Sequence, residues 1–353
     1  MATITENIQT LRSIKSDIKN AITDKGGSVG NDFKTYAQAI TNLPSGGGGG
    51  GTEIEDALIT RTISGTYYNN RVSKVGNGAF ASCDNLKFIN LPNCSSVGNG
   101  AFYSCSVLSS ISLPNCTYVG NSAFYCCSAL PSISLPICSS VGDGAFKSCR
   151  SLSSVNLPLC TGISGNAFVN CKSLTSIDLP LCSYVGYAAF GYCTSLTSVN
   201  LPLCSSVSDY AFEYCSVLSS IDLPNCSHIN GYVFEYCSNL ISVNLPNCLH
   251  IGGYAFKNCT NLTQVYLNSV SSVTTITYYT FTDCPNLTSI YVPASLVDAF
   301  KAAENWPSLS DKIVAYKEPT KYPPLIYSAK SAGSTITVNG ETVTLEQGDN
   351  ITL

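Results

Sequence analysis

The chain has 353 residues, a length that suits one elongated domain or two domains. Charged residues make up only 11% of it, less than half of the usual share of about 25%. The net charge is −4, without any cluster of Lys and Arg. Nucleic-acid-binding proteins normally carry a basic stripe, so we expect no nucleic-acid partner. No apolar run approaches the roughly 20 residues of a membrane span, so we expect no membrane insertion.

Residues 1–45 are predicted to form a helical module that anchors the protein or makes it oligomerise, for example as a homo-trimer. Apolar residues recur there at intervals of three and four, as on one face of an amphipathic helix. They are Ile4, Ile8, Leu11, Ile14, Ile18 and Ile22. A second apolar-periodic stretch follows, from Phe33 to Leu43. The opening MATITENIQTLRS has no apolar core after a basic start, so we expect no signal peptide.

Residues 46–51 are an unbroken run of glycines, which we interpret as a flexible tether about 13 Å long. The segment Asp17–Val29, the sequence FKTYAQAI at Phe33–Ile40 and this glycine run resemble N-terminal segments of tail and fibre proteins from phages of gut bacteria. The resemblance implies that residues 1–45 attach to other virion proteins, ahead of a variable distal domain. The alternative is a helical cap for the following domain, but a cap should be docked rather than tethered.

A repeat with a period of 22 residues fills residues 72–293, in ten units of which the last has a three-residue insertion. Each unit has one phenylalanine: Phe80, Phe102, Phe124, Phe146, Phe168, Phe190, Phe212, Phe234, Phe256 and Phe281. A cysteine follows each of them three residues later, from Cys83 to Cys284, and a second column follows Leu-Pro, from Cys94 to Cys248. Residues 52–71 are predicted to be an N-terminal cap, with Ile54, Leu58 and Ile63 over the apolar edge.

The spacing within a unit predicts its local structure. Leu108, Ile111 and Leu113 end in a period-two pattern, which favours a short strand with Ile and Leu facing inward. The following Pro ends the strand, because it has no N–H to donate. The piece A-F-x-x-C-x-x-L has the i, i+3 spacing of one helical or 3₁₀ turn. A single unit cannot bury both faces, so stability must come from the contacts between neighbouring units.

This unit resembles the BspA-like leucine-rich repeats over roughly 220 residues in ten copies. The resemblance implies an α/β repeat solenoid, a right-handed leucine-rich-repeat stack of ten 22-residue units, and a role in adhesion. Residues 294–318, with Ala294–Lys301 and Asn305-Trp306, resemble the closing segment of that family. We expect them to form a C-terminal cap with a short helix.

Residues 319–353 are predicted to hold an extended connector and a β-hairpin. The connector is the sequence KYPP at Lys321–Pro324. In the hairpin, from Ser334 to Leu345, apolar residues alternate on both sides of the Asn339-Gly340 pair, which is typical of a tight turn. An isolated two-stranded hairpin is marginal in water, so it should pack on something.

The two cysteine columns are interpreted as buried reduced thiols that act as small apolar groups. Neighbours in one column should lie about 5 Å apart at their Cα atoms, within disulfide range. Their parallel Cβ vectors nevertheless disfavour bonding. The chain has no C-x-x-C pair in a zinc arrangement, so we expect no metal and no cofactor. Only Cys126 lies outside both columns.

Two sets of outward residues are candidate ligand contacts. The position before the strand-ending Leu includes Asp178, Asn200, Asp222 and Asn244, beside a column that is mostly Ser. Tyrosines form two further columns, Tyr192, Tyr214 and Tyr236 in one and Tyr210, Tyr232 and Tyr254 in the other. Tyrosine combines an apolar ring with a hydroxyl, which suits sugars and protein interfaces. The alternative is that both sets are ordinary repeat surface, with tyrosines that only stabilise the ladder.

No catalytic constellation emerges from the sequence. His228 and His250, the only histidines, share a repeat position without a carboxylate in that column, and the glycine run lacks the Lys and Ser/Thr of a phosphate loop. The leading hypothesis is therefore a virion-associated binding protein that contacts a host-surface glycan or protein and is not an enzyme. The alternatives are a BspA-like adhesin at the bacterial cell surface, which needs export, and a structural decoration protein of the virion.

Overall fold

The computed structural model describes residues 65–317 throughout, together with the strands Glu53–Ile54, Ile326–Ser328, Ser334–Val338, Glu341–Leu345 and Asn350–Thr352. The anchoring module at 1–45, the glycine run at 46–51, the expected contacts of Leu58 and Ile63, and the connector at 321–324 lie outside the described residues.

The predicted repeat solenoid is confirmed as a stack of parallel strands. One continuous eleven-stranded sheet runs along it, with each strand paired in parallel to the next. Its strands are Glu53–Ile54, Lys74–Val75, Ser96–Val97, Tyr118–Val119, Ser140–Val141, Gly162–Ile163, Tyr184–Val185, Ser206–Val207, His228–Ile229, His250–Ile251 and Thr275–Ile276. The partner residues are 22 apart in most pairs, as in Tyr184 and Ser206. This strand was not predicted from the sequence; in each repeat unit its buried residue is a Val or Ile, which Gly follows in most units.

A second row of parallel strands contains the predicted L-x-x-I-x-L strand. It consists of Gly65–Tyr68, Leu86–Asn90, Ser110–Ser112, Ser132–Ser134, Ser154–Asn156, Ser176–Asp178, Ser198–Asn200, Ser220–Asp222, Ser242–Asn244, Gln264–Tyr266, Ser289–Val292 and Ile313–Ala315. This row is divided into sheets of three, two, two and five strands. The break between Ser110–Ser112 and Ser132–Ser134 has a clear cause. Ser109 N donates to Lys87 O and Ser153 N donates to Pro131 O. The equivalent bond between these two is missing because Pro131 has no N–H.

The piece around each phenylalanine was predicted to be one helical or 3₁₀ turn, and the structure has single i, i+3 turns there but no helix. Cys83 N donates to Phe80 O and Leu86 N donates to Cys83 O. Phe80 N donates to Ala101 O in the next unit, at 2.7 Å, rather than along a helix. Ser82, between the Phe and the Cys, has a φ of +57°, and its counterparts in other units are also left-handed. A left-handed residue ends a right-handed helix. The segment therefore forms isolated turns joined by a third ladder of hydrogen bonds between units.

The core is a ladder of phenylalanine rings. From Phe80 to Phe281 each ring stacks on the next, with centroids 5.0–5.6 Å apart and planes within 12°. The first nine rings are completely buried. Tyr67 packs against Phe80 at 5.5 Å and covers the open end of the ladder. The predicted N-terminal cap at 52–71 thus adds one strand to each row, as a further turn of the solenoid.

The nineteen cysteines form no disulfide, and seventeen are buried. In the first column each Sγ from Cys105 onward donates to the carbonyl of the phenylalanine one unit earlier, as Cys105 does to Phe80 O at 2.9 Å. In the second column each Sγ donates to the carbonyl two residues on, as Cys94 does to Ser96 O at 3.2 Å. Burial raises the pKa of the Cys193 thiol to about 12. A thiol that stays protonated can act as donor, so the columns bind backbone carbonyls as well as filling space.

Short helical segments and a hairpin follow the solenoid. The helix Val297–Ala302 is preceded by the 3₁₀ turn Ala294–Leu296 and followed by the 3₁₀ turn Pro307–Leu309. Phe300 and Trp306 are fully buried in a T-shaped contact at 5.0 Å. Strands Ser334–Val338 and Glu341–Leu345 pair antiparallel, and Ile326–Ser328 pairs antiparallel with Asn350–Thr352.

Replacement of one ring in the middle of the ladder tests the core. We expect Phe168→Ala to lower the free energy of unfolding by about 3–5 kcal/mol, because a fully buried ring leaves a cavity between two neighbours that cannot close. Urea unfolding followed by circular dichroism measures the change. Ser176→Ala, at an exposed strand position, is the control. Equal midpoints for the two variants would contradict the ladder as the main source of stability.

The thiols should differ sharply in reactivity. In the native protein at pH 8 we expect a thiol-specific reagent such as DTNB to modify one thiol, Cys126, and all nineteen after unfolding. Cys126 is half-buried and lies outside both columns, whereas burial raises the pKa of half-buried Cys284 to about 12 and its Sγ donates to Phe256 O. Cys126→Ser should remove the native reaction. Several reactive equivalents in the native protein would show that the columns are accessible.

Candidate binding surface

In the strand column expected to contact ligands, the side chains largely hydrogen-bond to one another. Asp178, Asn200 and Asp222 are exposed, and Asn244 is half-buried. Asn200 Nδ2 donates to Asp178 Oδ1 at 2.8 Å, and Asn244 Nδ2 donates to Asp222 Oδ1 at 2.9 Å. The carboxylates are therefore bound by the amide of the next unit, and this column offers a ligand only its remaining lone pairs.

The tyrosines form two stacked columns on another side of the solenoid. Centroids are 4.7 Å apart for Tyr192 and Tyr214 and 4.4 Å for Tyr214 and Tyr236. In the second column they are 4.7 Å apart for Tyr210 and Tyr232 and 5.0 Å for Tyr232 and Tyr254. We call these six residues the tyrosine strip. The structure thus brings together all six tyrosines that the sequence singled out.

The backbone at every residue of the tyrosine strip is left-handed, with φ between 57° and 61°. Other units are left-handed at the same positions with smaller residues, such as Gly78, Ser122 and Ala188 in one column and Ser82 and Asn170 in the other. For an L-residue with a side chain, this conformation costs roughly 1–2 kcal/mol. A stacked aromatic pair returns about 0.5–1.5 kcal/mol, so stacking offsets part of the cost at the tyrosines. The left-handed backbone is thus a property of the repeat, and the tyrosines are its bulkiest side chains.

A row of charged residues lies between the two columns. Lys257 Nζ is 2.8 Å from Glu235 Oε1 and lies over two rings, 5.8 Å from the centroid of Tyr236 and 5.5 Å from that of Tyr254. Glu213 occupies the same position one unit before Glu235 and is half-buried. Burial and, second, the charge of Glu235 raise the pKa of the Glu213 carboxyl. The strip therefore combines ring edges with one carboxylate that no cation of the described residues neutralises.

Stacking also decides which parts of the tyrosines a ligand can reach. Each inner ring is covered on both faces by its neighbours at 4.4–5.0 Å, so it presents its edge and its hydroxyl. Rings at the end of a column lack a stacked neighbour on one face, although Tyr187 contacts Tyr210 edge-on and Lys257 lies over Tyr236. The second column is one ring longer than the sequence analysis recognised, because Tyr279 stacks on Tyr254 at 5.2 Å. The three-residue insertion hid Tyr279, although it precedes Phe281 by the usual two residues.

The histidines do not form a metal site with the residues around them. Their rings are 6.3 Å apart and tilted, and each Nδ1 lies within hydrogen-bond distance of a hydroxyl, Ser227 Oγ for His228 and Thr275 Oγ1 for His250. Across the described ranges, no group of three or more metal-ligating side chains comes together. Among the helices of the described part of the chain, none has the length and apolar character needed to cross a membrane.

Comparison with known families identifies the repeat. The model of the BspA type leucine-rich repeat region matches residues 60–175 and 183–303 in six copies, which is more than half of the chain. The chain belongs to this family. The resemblance seen in the repeat unit is therefore confirmed, while the match does not reach the N-terminal module. The search of curated proteins finds no match.

Solved structures with the same architecture come from several bacteria. A leucine-rich repeat protein of Bacteroides ovatus is 22% identical, with 75% of this chain and 87% of that one covered and a TM-score of 0.49. A leucine-rich cell surface protein of Faecalibacterium prausnitzii is 22% identical, with 70% and 85% covered and a TM-score of 0.40. The T. pallidum leucine-rich repeat protein is 24% identical, with 56% and 86% covered and a TM-score of 0.39. At these values they carry no argument about ligands.

The unpaired carboxylate of Glu213 makes the stability of the folded protein depend on pH. Since the folded protein holds a proton on Glu213 more strongly than the unfolded chain does, ionisation of Glu213 destabilises the fold as the pH rises above about 4.5. We expect Glu213→Gln to raise the melting temperature at pH 7 and to have little effect at pH 4. Glu235→Gln, which breaks the bridge to Lys257, should instead lower it at pH 7. A Glu213→Gln effect of the same size at both pH values would contradict this account.

Proposed function

We propose that this protein is a binding protein without catalytic activity or cofactor, and that the tyrosine strip contacts a glycan or protein on a host cell surface. The observation that carries the proposal is the stack of six exposed or half-buried tyrosines at positions where other units have Gly, Ala, Ser, Asn, Cys or Asp. The left-handed backbone at these positions belongs to the repeat, because every unit has it whatever its residue. The backbone therefore does not require an aromatic side chain there, and the six tyrosines together form an aromatic surface.

The chemistry of the strip supports recognition. Tyrosine edges and hydroxyls are repeated every 4.4–5.0 Å on a rigid ladder, so little conformational entropy is lost when a partner binds. Tyrosine is enriched among residues that dominate interface energies. The carboxylate of Glu213 adds an acceptor for N–H or O–H donors of the partner.

The attachment of the protein is the second part of the proposal. The resemblance of Asp17–Val29, Phe33–Ile40 and the glycine run to phage tail and fibre proteins supports residues 1–45 as a contact to other virion proteins. The solenoid would then face outward, in a particle assembled in the bacterial cytoplasm. The alternative is a BspA-like adhesin at the bacterial cell surface, which the family equally allows. Genes for tail or capsid proteins beside this one would favour the virion, and an export signal would favour the adhesin.

A cell-binding assay tests the strip. The fluorescently labelled full chain is incubated with a panel of gut bacterial strains, and bound fluorescence is measured by flow cytometry. We expect strain-selective binding that falls at least tenfold in the triple variant Tyr192→Ala, Tyr214→Ala, Tyr236→Ala. The matched control, Ser198→Ala, Ser220→Ala, Ser242→Ala, changes three exposed or half-buried strand positions on another side and should bind normally.

Circular dichroism should show the same spectrum for both triple variants and the parent chain. Undiminished binding by the tyrosine variant would remove the strip as the site. Absence of binding to every strain would contradict the receptor-binding role and favour a structural role inside the particle.

A further inference from the structure

Both aromatic ladders of the solenoid end at the same place. Tyr279 stacks on Tyr254 with its ring planes 12° apart, and Phe281 stacks on Phe256 at 5.2 Å and 3°. No further repeat unit follows Phe281 among the described residues, so neither ring has a parallel stacking partner on its second face. Tyr278 contacts Tyr279 at 6.1 Å, with the ring planes tilted by 48°. Tyr279 is 61% exposed, and Phe281, unlike the other nine rings of the core ladder, is only half-buried. The last turn thus presents the aromatic faces that every earlier turn covers.

An open pocket of about 590 Å³ lies at these two rings. The last turn forms one wall, and the closing segment around Asn305 and Ser308 forms the other. The volume is within the range of about 300–1,000 Å³ that is common for small-molecule sites. None of the lining residues carries a charge, and the lining combines three aromatic rings, those of Tyr278, Tyr279 and Phe281, with the hydroxyls of threonines and of Ser308.

The walls of the pocket are held rigidly. Asn305 has a left-handed backbone, with φ +67°, and its Nδ2 donates to Ile276 O in the last turn at 2.8 Å. The adjacent Trp306 is fully buried and donates from Nε1 to Thr274 O at 2.8 Å. The loop and the last turn are therefore fastened to each other on the inner side of the pocket, while the outer side stays open.

We propose that this pocket binds a neutral sugar ring, which stacks on the free face of Tyr279 and exchanges hydrogen bonds with the surrounding hydroxyls. The proposal rests on the proposed function, because it names the class of ligand that the adjoining strip would engage. A pyranose has an apolar C–H face and a rim of hydroxyls, which match an aromatic face surrounded by Thr and Ser. A charged ligand would lose hydration without gaining a counter-charge, and this cost disfavours it.

The strip and the pocket are continuous, since Tyr279 is the fourth ring of the column that begins at Tyr210. A glycan chain with one sugar in the pocket would run along the tyrosine edges. The sugar in the pocket would stack on Tyr279, a contact that the inner tyrosines cannot offer because their faces are covered. The tyrosine hydroxyls of the strip would bind the other sugars of the glycan.

A direct titration tests the pocket. Trp306 is the only tryptophan of the chain and lies between two lining residues, so its fluorescence reports on this site. The full chain is titrated with maltose, cellobiose, lactose and N,N′-diacetylchitobiose, and saturation-transfer NMR of each sugar is recorded in parallel. We expect at least one of them to bind, with a Kd that rises tenfold or more in Tyr279→Ala. Tyr279→Phe, which keeps the ring, should stay within about threefold of the parent protein.

Two further variants separate a lost ring from a disturbed fold. Ser308→Arg leaves both rings in place but fills the exposed edge of the pocket, and it should weaken binding to the same extent as Tyr279→Ala. Tyr103→Ala removes an exposed tyrosine that also stacks on a neighbour, Tyr125, far along the solenoid, and it should bind sugar normally. Unchanged melting temperatures would confirm that all the variants fold.

The results also distinguish this inference from the proposed function. It is overturned if no sugar of the panel binds, if Tyr279→Ala binds as tightly as the parent, or if an apolar peptide occupies the pocket and the sugars do not. Strain-selective cell binding that depends on the tyrosine strip but not on Tyr279 would support the proposed function and contradict the pocket as part of the binding site. Sugar binding at Tyr279 in a protein that binds no cells would support the pocket and contradict the receptor role.

Discussion

The structure depends on the contact between one unit and the next. Each unit is too thin to bury its own side chains, so every buried group is covered by the same group 22 residues away. Three kinds of contact meet this requirement: the stacked phenylalanine rings, the hydrogen bonds of the thiols and the backbone hydrogen bonds between units. The thiols are informative because Cys105 Sγ reaches the carbonyl of Phe80, so that the ring and the cysteine of successive units are fixed together. Alanine would fill less space there and donate nothing.

The same constraint determines what the surface can do. Side chains at equivalent positions must lie about 5 Å apart, which is close to the distance at which aromatic rings stack. A tyrosine column on this scaffold consequently hides its faces and displays its edges. A partner of the proposed kind would therefore meet hydroxyl edges and the carboxylate of Glu213 along the column, and ring faces at its end. This division is a property of the repeat geometry rather than of tyrosine itself.

Much of this could be predicted from the sequence, because a period of 22 residues makes each column visible without any knowledge of the fold. The core ladder, the tyrosine columns and the terminal hairpin follow from spacing, and the cap follows from the resemblance of its sequence to the closing segment of the family. Three things did not follow. The strands of the eleven-stranded sheet are two residues long, too short to show an alternating pattern. The turns at Ser82 and its counterparts have the i, i+3 spacing of a helix, and only their left-handed backbone distinguishes them. The pocket could not be predicted because it lies between Tyr279, which the insertion displaces from the 22-residue period, and Asn305, which belongs to a segment outside the repeat.

The backbone hydrogen bonds between units repeat in the same direction along the solenoid, and this regularity has an evolutionary consequence. Since Phe80 N reaches Ala101 O and each later unit repeats the same pattern, a unit gained or lost by unequal recombination leaves every other register unchanged. The number of units can therefore change without a change in the contacts of the remaining ones, and the length of the solenoid changes with it. Single genetic steps could lengthen the stack, or extend the tyrosine columns, while the last turn keeps its contacts with the closing segment.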